Sequence, residues 1–385
     1  MTRALRIGAG LLVALPLVIP FGGDADRVVH PGGSAAVQDE VPLFEVASEW
    51  PTLPEGWVLG VVASVAVDRQ DHVWVLHRPA SLGPEEAGMA APAVLEFDPE
   101  GNLVQGWGGA SGSGYEWPES EHGIFVDHND YVWVGGNGPV DQVLKFTMDG
   151  GFVMRIGIPG ESQGSGDTRS FGRPADVWVH PPTNELYVAD GYGNQRVIVL
   201  DAATGEFRRM WGAFGEAPQD VEPDPAWALE QEGRGPPVFV PPVHAAKVSD
   251  DGRVYVSDRG GKRVQVFTTA GEYLDQVFIG RGCLLPECGN GTTAASTAFS
   301  SDPGQRFLYV GNRSEARVMV LERETLEILY SFGEWGSAPG EFGTLHHMDV
   351  DSRGNLYVTE VTPLEPVNRR VQKFTFLGLG PRPGP

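Results

Sequence analysis

Cysteine is nearly absent from the sequence, which contains only Cys283 and Cys288. A chain of 385 residues is too long to be a small fold held together by disulfides, and long enough to bury a substantial core. The two cysteines are separated by four residues of a glycine-containing segment with no histidine nearby. In an exported protein this spacing favours a local disulfide, with a two-thiolate metal site as the alternative.

Positive charge is also scarce. The sequence has 28 Lys and Arg against 51 Asp and Glu, which gives a formal net charge of −23. Proteins that bind nucleic acid neutralise phosphates with clustered Lys and Arg, so this composition argues against a nucleic-acid partner. The acidic surplus is instead typical of a well-solvated exterior.

Long apolar runs are missing apart from residues 7–21, which follow Arg3 and Arg6. This run is short for a membrane span but matches the apolar part of a secretory signal. We therefore predict a signal peptide and disordered lead over residues 1–36, export to the periplasm or the extracellular space, and no stable membrane insertion once the signal is removed. An uncleaved N-terminal anchor is the alternative.

Glycine and proline, in contrast, are abundant, with 52 and 31 residues, and they separate short β-branched and aromatic runs. Such a pattern of short runs separated by turn residues is typical of an all-β chain. One apolar triplet recurs six times at intervals of 48 to 68 residues. The copies are Val73–Val75, Val132–Val134, Leu186–Val188, Val254–Val256, Leu308–Val310 and Leu356–Val358.

Each triplet is followed by further strand-like segments, such as Val143–Phe146, so that every unit supplies about four antiparallel strands. Six such units predict a six-bladed β-propeller over residues 41–376, followed by a flexible tail at 377–385. The segment Leu43–Val46 has no triplet of its own and is predicted to add the outer strand of the last blade. Several of the following strands begin with an arginine that we interpret as structural, namely Arg196, Arg263, Arg317 and Arg370.

Histidine occupies one register of alternate units. Ten residues before the second, fourth and sixth triplets lie His122, His244 and His346, whereas the odd units carry Ala63 and residues near Ala175 and Thr297. Blades two apart in a six-fold ring are related by about 120°, so the three imidazoles are expected to meet at the central axis. Three neutral imidazoles suit Zn²⁺ with one open position. The alternative is that each histidine only caps its own strand.

A second register lies just beyond the triplets. Arg78, Arg259 and Arg313 follow the last Val of their triplets by three residues, and Tyr192 follows its Val by four. An arginine in such a turn is usually a solvated surface residue. The repeated register beside a metal favours a functional role for Arg78 and Arg259.

The repeated unit resembles the NHL repeat, and the site residues resemble those of the peptidyl-α-hydroxyglycine α-amidating lyases, which are six-bladed propellers with a three-histidine zinc. The matching stretches touch five of the six units. They are Val73–Arg78, His122–Val126, Asp190–Arg196, His244 to Arg259, and His346–Asp349.

The resemblance implies a role for each matched residue. His122, His244 and His346 would bind zinc, Tyr192 would be the catalytic base, and Arg78 and Arg259 would orient the substrate. It also implies a structural Ca²⁺ on the backbone carbonyls of two residues, Val65 and Ile124. The family's third calcium ligand is an Asp, but this chain has His347 there, and Gly193 replaces the family's Cys beside the tyrosine.

The implied activity is a zinc-dependent lyase that cleaves a carbinolamide C–N bond to give an amide and glyoxylate. Its substrate would be a small molecule or peptide with a carboxylate, and its natural identity is left open. One alternative is a non-catalytic NHL propeller that binds a protein, peptide or cell-wall ligand. Another is a lactonase-type propeller, which the histidines and alanines of the axial register disfavour.

Overall fold

The computed structural model describes residues 40–284, 288, 291–361 and 368–384, so the predicted signal segment lies outside the described residues. Within them, 24 β-strands form six four-stranded antiparallel sheets and there is no α-helix. No helix in this part of the chain is long and apolar enough to cross a membrane. The all-β prediction of a six-bladed propeller is confirmed.

The first five blades are each built from four consecutive strands that run in order from the innermost strand outwards. Blade 1 has β2 (Val61–Val67), β3 (Val73–Arg78), β4 (Val94–Phe97) and β5 (Leu103–Trp107). Blade 2 has β6 (Glu121–Val126), β7 (Tyr131–Gly136), β8 (Val143–Thr147) and β9 (Phe152–Ile156). Blade 3 has β10 (Pro174–His180), β11 (Glu185–Asp190), β12 (Arg196–Asp201) and β13 (Phe207–Trp211). Blade 4 has β14 (Val243–Val248), β15 (Arg253–Asp258), β16 (Arg263–Thr268) and β17 (Tyr273–Phe278). Blade 5 has β18 (Ala294–Phe299), β19 (Phe307–Asn312), β20 (Arg317–Glu322) and β21 (Ile328–Phe332).

The sixth blade joins the two ends of the described chain. Its strands are β22 (Leu345–Val350), β23 (Leu356–Glu360), β24 (Val371–Pro381) and, on the outside, β1 (Glu40–Ala47). The predicted closure by Leu43–Val46 is therefore present. The tail prediction differs from the structure, because residues 377–381 continue β24 and pair with β1 from Leu43 back to Glu40. Pairing with a second strand gives these residues backbone partners that the sequence pattern did not reveal.

The middle residue of each triplet is a large aromatic that is almost completely buried between blades. These six residues are Trp74, Trp133, Tyr187, Tyr255, Tyr309 and Tyr357. In blades 1 and 2 the indole N–H donates to an aspartate of the preceding turn, 2.9 Å from Trp74 to Asp68 and 2.8 Å from Trp133 to Asp127. The same aspartates also accept backbone N–H groups of their turns. One side chain thus fixes both the turn and the aromatic ring beneath it.

Three of the four arginines interpreted as structural are confirmed in that role. Arg196 and Asp190, and Arg263 and Asp258, form fully buried ion pairs, each 2.8 Å long. Arg370 pairs with the buried Glu360 at 2.6 Å. Arg317 differs, because it is exposed and its guanidinium donates only to Ser331 at 3.4 Å.

Four short 3-10 turns lie in the connections from β3 to β4 and from β13 to β14, at Pro79–Ser81, Ala87–Met89, Ala213–Gly215 and Pro225–Leu229. The predicted disulfide between Cys283 and Cys288 is present. A disulfide indicates folding in an oxidising environment, because reducing compartments keep such pairs as thiols.

We predict that Arg196→Met destabilises the propeller by about 3–5 kcal/mol, because it leaves the buried Asp190 carboxylate without its counter-charge. Urea unfolding of the mature protein measures this. The control is Arg208→Met, whose pair with Asp201 is solvent-exposed and contributes little to stability. Equal losses in the two variants would contradict a structural role specific to the buried pair.

Candidate metal centre

The three histidines of the even blades meet at the propeller axis. His122, His244 and His346 lie on the inner strands β6, β14 and β22, and each is at most 2% exposed. Their ring centroids are 4.6 to 5.0 Å apart. The sequence register therefore placed all three correctly at one point.

Each of these imidazoles is oriented by the odd blade that follows it. The ring Nδ1 of His122 lies 2.7 Å from the carbonyl oxygen of Ala175, that of His244 lies 2.5 Å from Ala295, and that of His346 lies 2.5 Å from Ala63. A carbonyl can only accept, so Nδ1 carries the proton and Nε2 keeps its lone pair. Odd blades thus fix the tautomer of even-blade histidines, as in many metal sites.

Two of the three acceptors match the register expected for the odd blades, and the third does not. The blade 5 carbonyl belongs to Ala295, whereas the sequence pointed to Thr297, because the turn between β18 and β19 is longer than the corresponding turns of blades 1 and 3. A further requirement appears beside His122. A Cβ on Gly123 would lie 2.8 Å from the Ala175 carbonyl oxygen, so only glycine lets blade 3 approach this closely.

The Nε2 atoms of His244 and His346 lie 3.1 Å apart. Since both Nδ1 atoms donate to carbonyls, both Nε2 atoms present lone pairs to each other, which repel unless a cation lies between them. Zinc–nitrogen bonds of 2.0–2.1 Å at tetrahedral angles place two ligand nitrogens about 3.4 Å apart. The separation thus fits two ligands of one metal ion.

Protonation does not relieve this repulsion. Burial, and then the positive charges of their neighbours, lower the pKa of all three histidines well below the ordinary value of 6.5. Neutral imidazole is the form that binds a metal. The buried cluster can therefore hold a metal ion, and the donor set fits one.

A fourth histidine, His347, lies beside the three. Its ring centroid is 4.7 to 5.4 Å from theirs, its Nδ1 is 3.1 Å from the Ser64 hydroxyl and 3.5 Å from an Asp176 carboxylate oxygen, and its buried Nε2 has no partner. The potential ligand atoms of all four histidines lie within 4.8 Å of one another. The sequence treated His347 only as a departure from the calcium site.

The residues around His347 do not fit the calcium ion that the resemblance implies. Val65 and Ile124 are buried on the inner strands of blades 1 and 2, but the third position offers an imidazole, whereas Ca²⁺ requires oxygen ligands. The Lys247 ammonium already supplies positive charge nearby, where it donates to the Met348 carbonyl at 2.6 Å. Its charge also opposes the effect of burial, which raises the pKa of Asp176 to about 7.

Above the histidines, the predicted catalytic residues converge. The Tyr192 hydroxyl donates to Nε2 of His122 at 2.9 Å and accepts a hydrogen bond from Nη1 of Arg259 at 3.1 Å. The Arg78 guanidinium donates through Nε to the Glu121 carbonyl at 2.7 Å, and its charge interacts with Tyr192. Tyrosine, arginines and histidines from different blades thus form one group.

A second cluster of potential ligands, Asp68, His72 and Glu96, lies away from the axis. Its groups are already used internally. Asp68 accepts from its turn and from Trp74, and His72 lies 2.5 Å from Glu96. This cluster is accounted for as blade structure.

No family model matches the sequence. NHL repeat-containing protein 3 of Mus musculus is 28% identical over 73% of this chain and 70% of its own length. Its counterpart in Homo sapiens is 30% identical, but the chain covers only 59% of it. The protein named probable peptidyl-alpha-hydroxyglycine alpha-amidating lyase in Caenorhabditis elegans is 25% identical over 66% of this chain and 67% of its length.

The resemblance to NHL-repeat proteins and amidating lyases is thus confirmed. Peptidyl-glycine alpha-amidating monooxygenase B of Xenopus laevis is 26% identical over 61% of this chain, but the match covers 26% of that protein. Among solved structures, a streptogramin B lyase covers 86% of this chain with a TM-score of 0.54 and 11% identity, and 98% of that chain is matched. At that identity it supports the fold alone.

We predict that Lys247→Met destabilises the protein by about 3–5 kcal/mol, since the buried Asp176 and Asp349 lose their nearby positive charge. Urea unfolding measures the loss. Lys373→Met is the control, because its ammonium donates to the Pro99 carbonyl and its loss removes about 1 kcal/mol. Adding Asp176→Asn to Lys247→Met should recover part of the stability, and no recovery would argue against this charge coupling.

Proposed function

We propose that this protein is an exported zinc-dependent lyase that cleaves the C–N bond of a carbinolamide, releasing an amide and glyoxylate. The observation that carries the proposal is the meeting of imidazole lone pairs at the axis beside a tyrosine held by an arginine. The name of the Caenorhabditis elegans relative supports the reaction class. The disulfide and the apolar leader support export to the periplasm or extracellular space.

Zinc would be held by Nε2 of His122, His244 and His346, with their Nδ1 atoms bonded to backbone carbonyls. Three neutral nitrogen ligands with an open position are the donor set of catalytic zinc sites. When bound there, zinc acts as a Lewis acid that stabilises negative charge on a substrate oxygen.

The reaction moves one proton from the carbinol oxygen to the amide nitrogen and consumes no water. Tyr192, as phenolate, would remove the proton of the carbinol hydroxyl, the C–O bond becomes a carbonyl as the C–N bond breaks, and the resulting phenol would return the proton to the amide nitrogen. Nη1 of Arg259 donates to the tyrosine oxygen, which stabilises negative charge on it. Proton transfer by a positioned side chain of this kind typically contributes a factor of about 10²–10⁴ to a rate.

Arg78 and Arg259 would orient the substrate through its carboxylate. Blades 1 and 4 lie opposite each other in the ring, so the two guanidiniums approach the axis from opposite sides. Arginine binds carboxylates through paired hydrogen bonds, which fixes both position and direction. The carbinol carbon of a bound hydroxyglycine would then lie between the arginines and the histidines. The partner is accordingly a small-molecule or peptide substrate with a carboxylate.

We predict that the purified mature protein retains about one Zn²⁺ per chain after dialysis and that His244→Ala retains almost none, because two remaining imidazoles form a poor zinc site. Elemental analysis measures both. His128→Ala, a change outside the channel, is the control and should keep its zinc. Full zinc retention by His244→Ala would refute the proposed ligand set.

We also predict that Tyr192→Phe lowers the rate of glyoxylate release from an N-acyl-α-hydroxyglycine by a factor of about 10²–10⁴ while zinc content stays unchanged. A glyoxylate assay together with elemental analysis separates the two properties. Tyr131→Phe, at a tyrosine that packs under Lys145 in blade 2, is the control and should retain activity. Wild-type protein that contains zinc but releases no glyoxylate would favour a non-catalytic binding propeller.

A further inference from the structure

One equivalent residue of each blade lies at or just after the end of its second strand. We call this set the rim ring, and its members in blade order are Arg78, Asn137, Tyr192, Arg259, Arg313 and Val361. In blades 2 to 6 the backbone N–H of the member donates to a carbonyl just before the inner strand, at 2.9 to 3.2 Å. The same backbone bond in five blades shows that the positions are equivalent, although Tyr192 is one residue further along its chain segment.

Arg313 is the one charged rim-ring member with no role so far. Its backbone N–H donates to the Thr293 carbonyl, and the Thr293 N–H donates to the Arg259 carbonyl, so Arg313 and Arg259 are held side by side on blades 5 and 4. The Nε atoms of both arginines are buried and have no hydrogen-bond partner. Buried donors of this kind require an acceptor.

The rim arginines also differ from the chain's other arginines near strand ends. Arg196, Arg263 and Arg370 each pair with a carboxylate of their own blade. In contrast, none of the carboxylates that the structure describes forms an ion pair with Arg78, Arg259 or Arg313. Three guanidiniums without a described carboxylate partner thus lie together in a protein of net charge −23.

These charges repel one another. Burial lowers the pKa of Arg313 to about 10, and the positive charge of Arg259 adds to this effect. The buried Glu121 interacts with Arg78, but one of its oxygens already accepts from Trp117. A Tyr192 phenolate and one substrate carboxylate would together neutralise only two of the three arginines. The arrangement is therefore suited to a ligand with more than one negative charge.

We propose that Arg313 binds a second carboxylate of the substrate, so that the substrate is a dianion. Arg78 and Arg259 hold the carboxylate next to the reacting carbon, and Arg313 holds a carboxylate on the acyl side of the amide. This inference rests on the proposed lyase function for its assignment of the first carboxylate. It makes Arg313 a specificity-determining residue rather than a catalytic one.

The test compares two ligands that lack the carbinol hydroxyl and so are not cleaved, N-acetylglycine with one carboxylate and N-succinylglycine with two. Isothermal titration calorimetry of the zinc-loaded mature protein gives both dissociation constants. The wild type is expected to bind N-succinylglycine at least about tenfold more tightly. In Arg313→Gln the preference should fall below about twofold, mainly through weaker binding of N-succinylglycine.

Arg317→Gln is the matched control, because this arginine of the same blade is exposed outside the channel, and it should keep the wild-type preference. Arg313→Lys retains the charge and should keep part of the preference, which also covers the case in which Arg313→Gln does not fold. A wild type without preference for N-succinylglycine, or an equal preference in wild type and Arg313→Gln, overturns the inference.

The two proposals fail in different ways. Neither ligand is cleaved, so the binding preference is measured whether or not the protein releases glyoxylate. An Arg313-dependent preference in a protein that is inactive on α-hydroxyglycines would refute the lyase and leave a dianion-binding site. Glyoxylate release without that preference would support the lyase and refute the role of Arg313.

Discussion

The arrangement at the axis depends on one constraint, the repulsion between imidazole lone pairs, which face each other at 3.1 Å on His244 and His346. His122, His244 and His346 each give their Nδ1 proton to a carbonyl of the next blade, so their Nε2 atoms have no proton to exchange among themselves. Burial keeps the rings neutral. A cation at the axis would convert this repulsion into coordination, and the tyrosine and arginines above it are arranged around the same point. Folding of the ring thus brings the Nε2 lone pairs together, and none of the described residues places a positive group between them.

The six blades share a fold but contribute different groups to the candidate metal centre. Even blades supply the imidazoles, and odd blades supply the carbonyls that orient them. A glycine is needed beside one histidine as well, because the Ala175 carbonyl reaches His122 only where Gly123 has no side chain to block it.

Neighbouring arginines differ in whether a carboxylate balances their charge. Arg196 and Arg263 are buried against carboxylates and contribute to the blades, whereas Arg259 and Arg313 face the channel with buried, unpartnered Nε atoms. Below the histidines, Lys247 lies among Asp176, Asp349 and His347, where the related lyases are expected to hold calcium. The channel therefore carries arginines without a described carboxylate partner on one side of the candidate metal centre, and a lysine balanced by carboxylates on the other.

Sequence periodicity was enough to predict the six blades, their ring closure, the disulfide and the meeting of three histidines, because each depends on a repeat register or a short spacing. It placed the end of the last blade too early, since the pairing of residues 377–381 with β1 joins opposite ends of the chain. Thr297 was preferred to Ala295 because the turn between β18 and β19 is longer than in the other odd blades, and the repeat pattern does not reveal that length. The roles of His347, Lys247 and Arg313 become visible only in the folded ring. Their partners lie in other blades, and contacts between blades are decided by tertiary packing rather than by neighbours in sequence.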